Sequence, residues 1–164
     1  QLLPRDTRFV VDCGGDIRVG ALPAHAAPYE IDVETEQIGP GQLTLTMHSG
    51  AVATSGIGSR LWRRDDGDYA HHVIDPATGR SAWTGLTSVT AIAPTALEAE
   101  TIAKTALLMG PEGSRQVLAV GGGATVDYDG KVEVIAPSPV PAQPAPGRRD
   151  SDRAADRTAL EAAA

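Results

Sequence analysis

Aromatic side chains are scarce in this chain: two Trp, three Tyr and one Phe make up 4% of its 164 residues. A core must therefore be assembled mainly from Val, Ile, Leu and Ala, in the manner of a compact domain that mixes helix and sheet. Cysteine is nearly absent. The one residue, Cys13, excludes an intrachain disulfide and cannot supply a thiolate metal cluster; beside Gly14 in an apolar stretch it is expected to be a small buried hydrophobe. Basic residues are outnumbered, with 14 Lys and Arg against 21 Asp and Glu for a net charge of −7 and a pI of about 5.0. Binding to a phosphate backbone needs Lys and Arg gathered on one face. The short run Arg60, Arg63, Arg64 is broken by apolar residues and followed by Asp65 and Asp66, so no nucleic-acid surface is expected. No apolar run is long enough to span a bilayer, and no transmembrane segment is expected. The chain opens on Gln1 rather than Met, which leaves its compartment open.

Turn residues and hydrophobic period divide what remains. A strand is expected over residues 8–12, ending at the turn pair Gly14 and Gly15, with a polar loop holding Pro23 and Pro28 after it. Residues 29–35 and 42–47 alternate apolar with polar side chains about a turn at Gly39, Pro40 and Gly41, the pattern of a hairpin with one buried face. After Gly50 comes a stretch of small residues holding Thr54, Ser55 and Gly56, where backbones can approach closely. An Arg-rich segment and a polar turn over 65–68 follow. Residues 86–93 carry the strand formers Val89 and Ile92 and stop at Pro94. Thr95 and Glu98 then form a capping box for a helix expected to reach about Met109. Ala99, Ile102, Ala103 and Ala106 lie on one face of it, and Gly110 with Pro111 is its stop signal. A final hairpin is expected from strands over 117–120 and 125–128 around Gly121, Gly122 and Gly123, with Asp129 and Gly130 turning into 131–135. From Ala136 on, Pro, Ala, Arg and Asp dominate. Residues 136–164 read as a disordered tail, with at most a short Ala-rich helix over 157–164. The fold class expected is α+β, an antiparallel sheet with a flanking helix.

Several local features carry chemistry-bearing side chains, and each has a plain structural reading. In HHVIDPATG, His71 and His72 precede Asp75, Pro76 and Gly79. Asp-Pro followed by Thr-Gly is a turn in which Asp75 bonds nearby N–H groups and Gly79 takes positive φ. A His there is by itself more often structural than catalytic. In an extended segment adjacent residues point to opposite faces, so at most one of the two imidazoles faces a given site. Gly14 and Gly15 with Asp16 let a backbone approach a phosphate or simply make a turn, and Gly121 to Gly123 are assigned to loop geometry. Glu100 and Lys104 stand four apart on the expected helix with the acid first, which on spacing alone is a surface ion pair contributing about a few tenths of a kcal/mol.

The order of these pieces adds what no single one carries. VVDCGGDIRVGA, AVATSGIGSRLWRR, HHVIDPATG and GLTSVTAIAPTALEAETIAKTALLMG resemble, block by block, the C-terminal half of the ApbE family of FAD:protein FMN transferases, over about residues 9–134. The resemblance implies magnesium-dependent transfer of FMN from FAD to a Thr or Ser hydroxyl of an acceptor protein, with release of AMP. It implies that His72, which begins His-Val-Ile-Asp-Pro, is the base on the acceptor hydroxyl. It further implies flavin-nucleotide contacts from His72, Val73, Thr54, Ser55, Gly56 and Lys104, and a Mg2+ ligand in Glu100, which stands where the family carries Asp. Lys104 stands where the family carries Thr; an ammonium has no lone pair to offer a metal, and a diphosphate contact is implied there instead.

Gly14, Gly15 and Asp16 match a G-G-N or G-G-D strand end that shapes the family site, whereas Ile57 to Arg60 depart from the usual Tyr and Arg spacing after T-S-G. The family's N-terminal half, with an Ala-Lys-Gly motif and several aromatics, has no counterpart in these residues, and this chain alone is expected to be inactive. On this reading residues 1–135 are the ApbE-like domain. Two other readings stay open. One is an FAD-binding homologue that no longer transfers, suggested by Lys104; the other is an interaction module whose tail, with P-x-x-P spacing over 137–146, binds partners.

Overall fold

The computed structural model describes residues 7–20 and 26–138. Gly14 and Gly15, at φ of 70° and 97°, fold Val10–Cys13 (β1) back onto Asp16–Val19 (β2). Only glycine takes such angles without steric cost, and the segment expected to be a loop after the pair begins with a strand instead. Tyr29–Asp32 (β3) and Thr44–Met47 (β4) pair antiparallel as expected. Then come Gly50–Gly56 (β5), a 3-10 turn at Gly58–Arg60, Leu61–Arg63 (β6), Tyr69–His71 (β7), Leu86–Ala93 (β8), Ala96–Leu118 (α1), Gly123–Asp127 (β9) and Val132–Ile135 (β10). Six strands make one sheet in the order β1-β2-β5-β8-β9-β10, while β3–β4 and β6–β7 are separate ribbons. Every pairing in it is antiparallel, so the fold is α+β with a helix on one sheet face.

The small residues of β5 explain its central place. Ala51, Ala53 and Ala93 pack against Ala99 of α1, where methyl-sized side chains let the helix lie close to the sheet. On the opposite face Val19 and Val52, with the partly buried Ile17 and Ile92, meet Tyr29, Ile31, Val33, Leu45 and Met47 of the β3–β4 ribbon. A strand buried on both faces loses its apolar alternation, which is why sequence reading passes over β5. A third cluster joins Val89 and Ala91 to Ala103, Ala106, Leu107 and Leu118, and takes in Ile57, Val73 and Leu86. Tyr29 is the only buried aromatic among the described residues, so the core is aliphatic, as the composition requires.

The capping box forms: Thr95 Oγ1 accepts from the Glu98 N–H at 3.2 Å and Glu98 Oε2 from the Thr95 N–H at 3.0 Å. Helical geometry breaks where the stop was expected, at Gly110 (φ 70°, ψ −173°), but resumes at Pro111 and runs to Leu118. Proline suits the first turn of a new helical segment because its missing N–H would have had no partner there. Val117 and Leu118 are therefore helical rather than part of a strand over 117–120, and the last hairpin is β9–β10. A Cβ on Gly121 would lie 2.1 Å from the Ile92 carbonyl oxygen, and one on Gly123 2.2 Å from that of Thr90; close approach to β8 is what these glycines serve. Cys13 is exposed, not buried, because β1 is an edge strand open on both faces.

Among the described residues the last strand ends at Ile135, and the Ser138 N–H donates to the Ala119 carbonyl at 2.7 Å. The rest of the expected tail, residues 139–164 with the helix over 157–164, lies outside the described residues, as do 21–25 with Pro23. Among the described residues no helix is long and apolar enough to cross a membrane.

Candidate functional site

The His-x-Ile-Asp-Pro segment is a loop closed on itself. One hydroxyl pins its mouth: Ser81 Oγ accepts from the His71 N–H and donates to the His71 carbonyl, both at 2.9 Å. Inside it, the Ala82 N–H reaches the Val73 carbonyl at 3.0 Å and the Asp75 N–H the Arg80 carbonyl at 2.8 Å. At the tip, Asp75 accepts from the Ala77 N–H at 2.9 Å and from the Thr78 hydroxyl at 2.8 Å, while Gly79 takes φ of 66°. The expected Asp-turn is present. The Ala77 N–H first, and the Thr78 hydroxyl after it, hold the Asp75 carboxyl below the usual carboxylate range.

Strand alternation sorts the two histidines. His71 is fully buried; its Nδ1 accepts from the Val73 N–H at 3.3 Å, and its ring meets Trp83 edge-on with centroids 4.6 Å apart. Because Nδ1 accepts, the proton of this neutral ring sits on Nε2, which has no hydrogen-bond partner of good geometry. Burial pushes the His71 pKa down, the backbone of Ala82 opposes this, and neighbouring His72 adds to it. His72 is exposed. Val73 lies in the core with Ile57 and Leu86, with its N–H and carbonyl both bonded inside the loop. Of these three residues, His72 alone offers its side chain to a molecule from solution.

The T-S-G element is split by the same alternation. Ser55 faces α1, where its hydroxyl donates to Glu100 Oε2 at 3.2 Å. The Lys104 ammonium sits on Glu100 Oε1 at 2.5 Å, with the side chains 52% and 31% exposed respectively, so the pair is reachable from solvent. Ile17 packs with the ribbon-side cluster, which turns its neighbour Asp16 toward α1. The Asp16 carboxyl is pushed above the usual range by burial and by Glu100, with Lys104 opposing and Asp12 adding to the rise. Asp16 thus joins Ser55, Glu100 and Lys104 in one charged cluster, although sequence reading assigned it only to shape. Its signal was an acid placed directly after a Gly-Gly turn.

Thr54 points to the other face, its hydroxyl 2.8 Å from that of Thr90 across the β5–β8 pair. There Thr54 and Gly56, with Gly14, Gly15, Glu34 and Glu36, line a cleft of about 200 Å³. Two carboxylates at its rim disfavour phosphates. The expected nucleotide contacts therefore fall into three places: Ser55, Glu100 and Lys104 on the helix face, Thr54 and Gly56 in the cleft, and His72 on its loop.

Residues 5–126 match the model of the ApbE family. The FAD:protein FMN transferase of Escherichia coli (strain K12) is 32% identical to this chain over 114 residues, which is 68% of this chain and 32% of that protein. The FAD:protein FMN transferase of Treponema pallidum (strain Nichols) is 34% identical over 107 residues, 63% of this chain and 28% of that protein. The crystal structure of the ApbE protein from Thermotoga maritima superposes with a TM-score of 0.65 at 30% identity, covering 78% of this chain and 42% of that one. The chain spans about a third of the length of the curated relatives it matches. A family match over most of the described fold, joined to the same sheet-and-helix arrangement in a solved relative, leaves one assignment: the chain belongs to the ApbE family.

Proposed function

We propose that this chain takes part in moving FMN from FAD to a Thr or Ser hydroxyl of an acceptor protein, with release of AMP. Support comes from curated relatives named FAD:protein FMN transferases. The observation that carries the reading is His72, an exposed imidazole between two buried neighbours on a loop pinned at its mouth by Ser81. A general base needs a ring that is fixed in direction and open to its proton donor.

In the reaction the acceptor hydroxyl gives its proton to the His72 imidazole as its oxygen bonds the FMN phosphorus. The phosphoanhydride bond breaks and AMP leaves with the bridging oxygen. Ser55 contributes a flavin-nucleotide contact on the helix face and Thr54 with Gly56 contacts on the opposite face, away from the phosphates; Val73 acts by anchoring His72, and Lys104 brings a positive charge to the phosphates.

Magnesium fits this donor set poorly. Glu100 already has an ammonium on Oε1 and a hydroxyl on Oε2, whereas Mg2+ demands a near-octahedral set of free oxygens. Among the described residues no three His, Cys, Asp or Glu side chains gather as ligands. The same ammonium favours a second reading, an FAD-binding homologue that no longer transfers.

The test incubates the protein, in its longest natural form, with FAD and an acceptor domain bearing a Thr target, and weighs the acceptor by mass spectrometry. A gain of one FMN unit, absent with His72→Ala, is the expected result. Bound FAD with no adduct would overturn transfer and leave the binding-only reading.

A further inference from the structure

Glu100 is the carboxylate of α1 that bonds to the sheet, through Ser55 Oγ at 3.2 Å, and its other oxygen holds the Lys104 ammonium at 2.5 Å. We infer that Lys104 is a resident cation: its ammonium fills, from within the chain, the position on Glu100 that a divalent ion would need, so Glu100 takes up no divalent ion while Lys104 is present.

Three features carry this. The acid precedes the base by four residues on the helix, the favourable orientation for such a pair, so the ammonium is pre-placed. Next, β2 pairs with β5 with Ile17 opposite Val52, and strand alternation puts Asp16, a second carboxylate, on the sheet face where Ser55 meets Glu100. Asp16 and Glu100 together would carry two negative charges, a suitable match for a divalent ion, and the ammonium cancels one of them. Finally, an ion reaching Oε1 must displace a lysine that stays tethered one helical turn away. An ammonium about 4–5 Å from a divalent ion in water-like surroundings repels it enough to weaken binding on the order of tenfold or more.

The inference goes beyond the flavin-transfer reading, and its test uses no flavin, so either can fail alone. Mn2+ is titrated into the protein while the electron paramagnetic resonance amplitude of the free ion is followed. Wild type and Lys104→Arg, which keeps the charge, are expected to leave the amplitude as in buffer up to about 1 mM, the range of weak carboxylate sites. Lys104→Met keeps the stem and the helix propensity, and circular dichroism checks its fold. It is expected to bind Mn2+ at least tenfold more tightly than wild type, and Lys104→Met with Glu100→Gln to lose that gain. Two results would overturn the inference. Wild-type binding that Glu100→Gln abolishes would mean that metal and ammonium share the carboxylate. No gain in Lys104→Met would make Lys104 an ordinary surface partner.

Discussion

Ser81→Ala removes the hydroxyl that serves both backbone polar groups of His71, and its cost can be worked from the two bonds at 2.9 Å. A neutral hydrogen bond contributes about 0.5–1.5 kcal/mol net, and a backbone group left buried without a partner costs about 1–3 kcal/mol. Ser81 is half-buried, so water re-satisfies part of the loss, and a sum of about 1.5–2.5 kcal/mol is expected. In urea this corresponds to a midpoint about 1 M lower at an ordinary m-value. The loss falls at the mouth of the loop, while the Val73–Ala82 and Asp75–Arg80 bonds inside it remain. The loop that carries His72 should therefore loosen before the domain unfolds, and the FMN transfer proposed for it should fall by more than the folded fraction does. Ser81→Thr keeps the hydroxyl in an extended segment that accepts β-branched residues, and should recover most of both losses. A midpoint shift of less than about 0.3 M for Ser81→Ala, or Thr faring no better than Ala, would refute the argument that this hydroxyl holds the loop.

Acid should destabilise the fold through His71. Its folded pKa lies below the ordinary value of 6.5, so on acidification the unfolded chain takes up the proton first. The stability that neutral His71 contributes is full above 6.5 and is lost as pH falls toward the depressed folded value. Urea midpoints measured between pH 7.5 and 5 should fall more steeply for wild type than for His71→Gln, and equal slopes would count against a buried neutral imidazole. At the β8 side, Gly121→Ala would drive a Cβ to 2.1 Å from a carbonyl oxygen, whereas Gly14→Ala meets no atom within 4 Å and faces only its positive φ. Melting curves should show a loss of about 3 kcal/mol or more for the first and about 1–2 kcal/mol for the second; a reversed order would contradict the close packing at Gly121.

Where the chain could be read directly, one local rule was enough. Thr95 and Glu98 announced the helix start because a capping box is complete within four residues. Leu86–Ala93 and the β3–β4 ribbon were visible through strand formers and one buried face. The elements that escaped depend on partners remote in sequence. β5 has no alternation because α1 covers one face and the β3–β4 ribbon the other. β6 and β7 carry exposed Leu61, Trp62 and Tyr69, so no apolar face marked them as a hairpin. Gly110 marks a break, but a local rule cannot tell a stop from a kink when the chain turns helical again at Pro111.

The candidate site repeats this lesson at the scale of single side chains. Thr54 and Ser55 are neighbours in sequence, yet strand parity sends one hydroxyl to Thr90 and the other to Glu100. The motif therefore acts on two faces of the sheet. Asp16, about 40 residues earlier, reaches the same helix face because β2 lies beside β5 with Ile17 opposite Val52. Two carboxylates and one ammonium then share a surface where each sets the charge felt by the others. A substitution at Asp16 changes the charge that Glu100 and Lys104 face, although no motif contains all three. The chemistry of this face is set by the sum of those charges, and that sum depends on pairing register, which spacing along the chain does not encode.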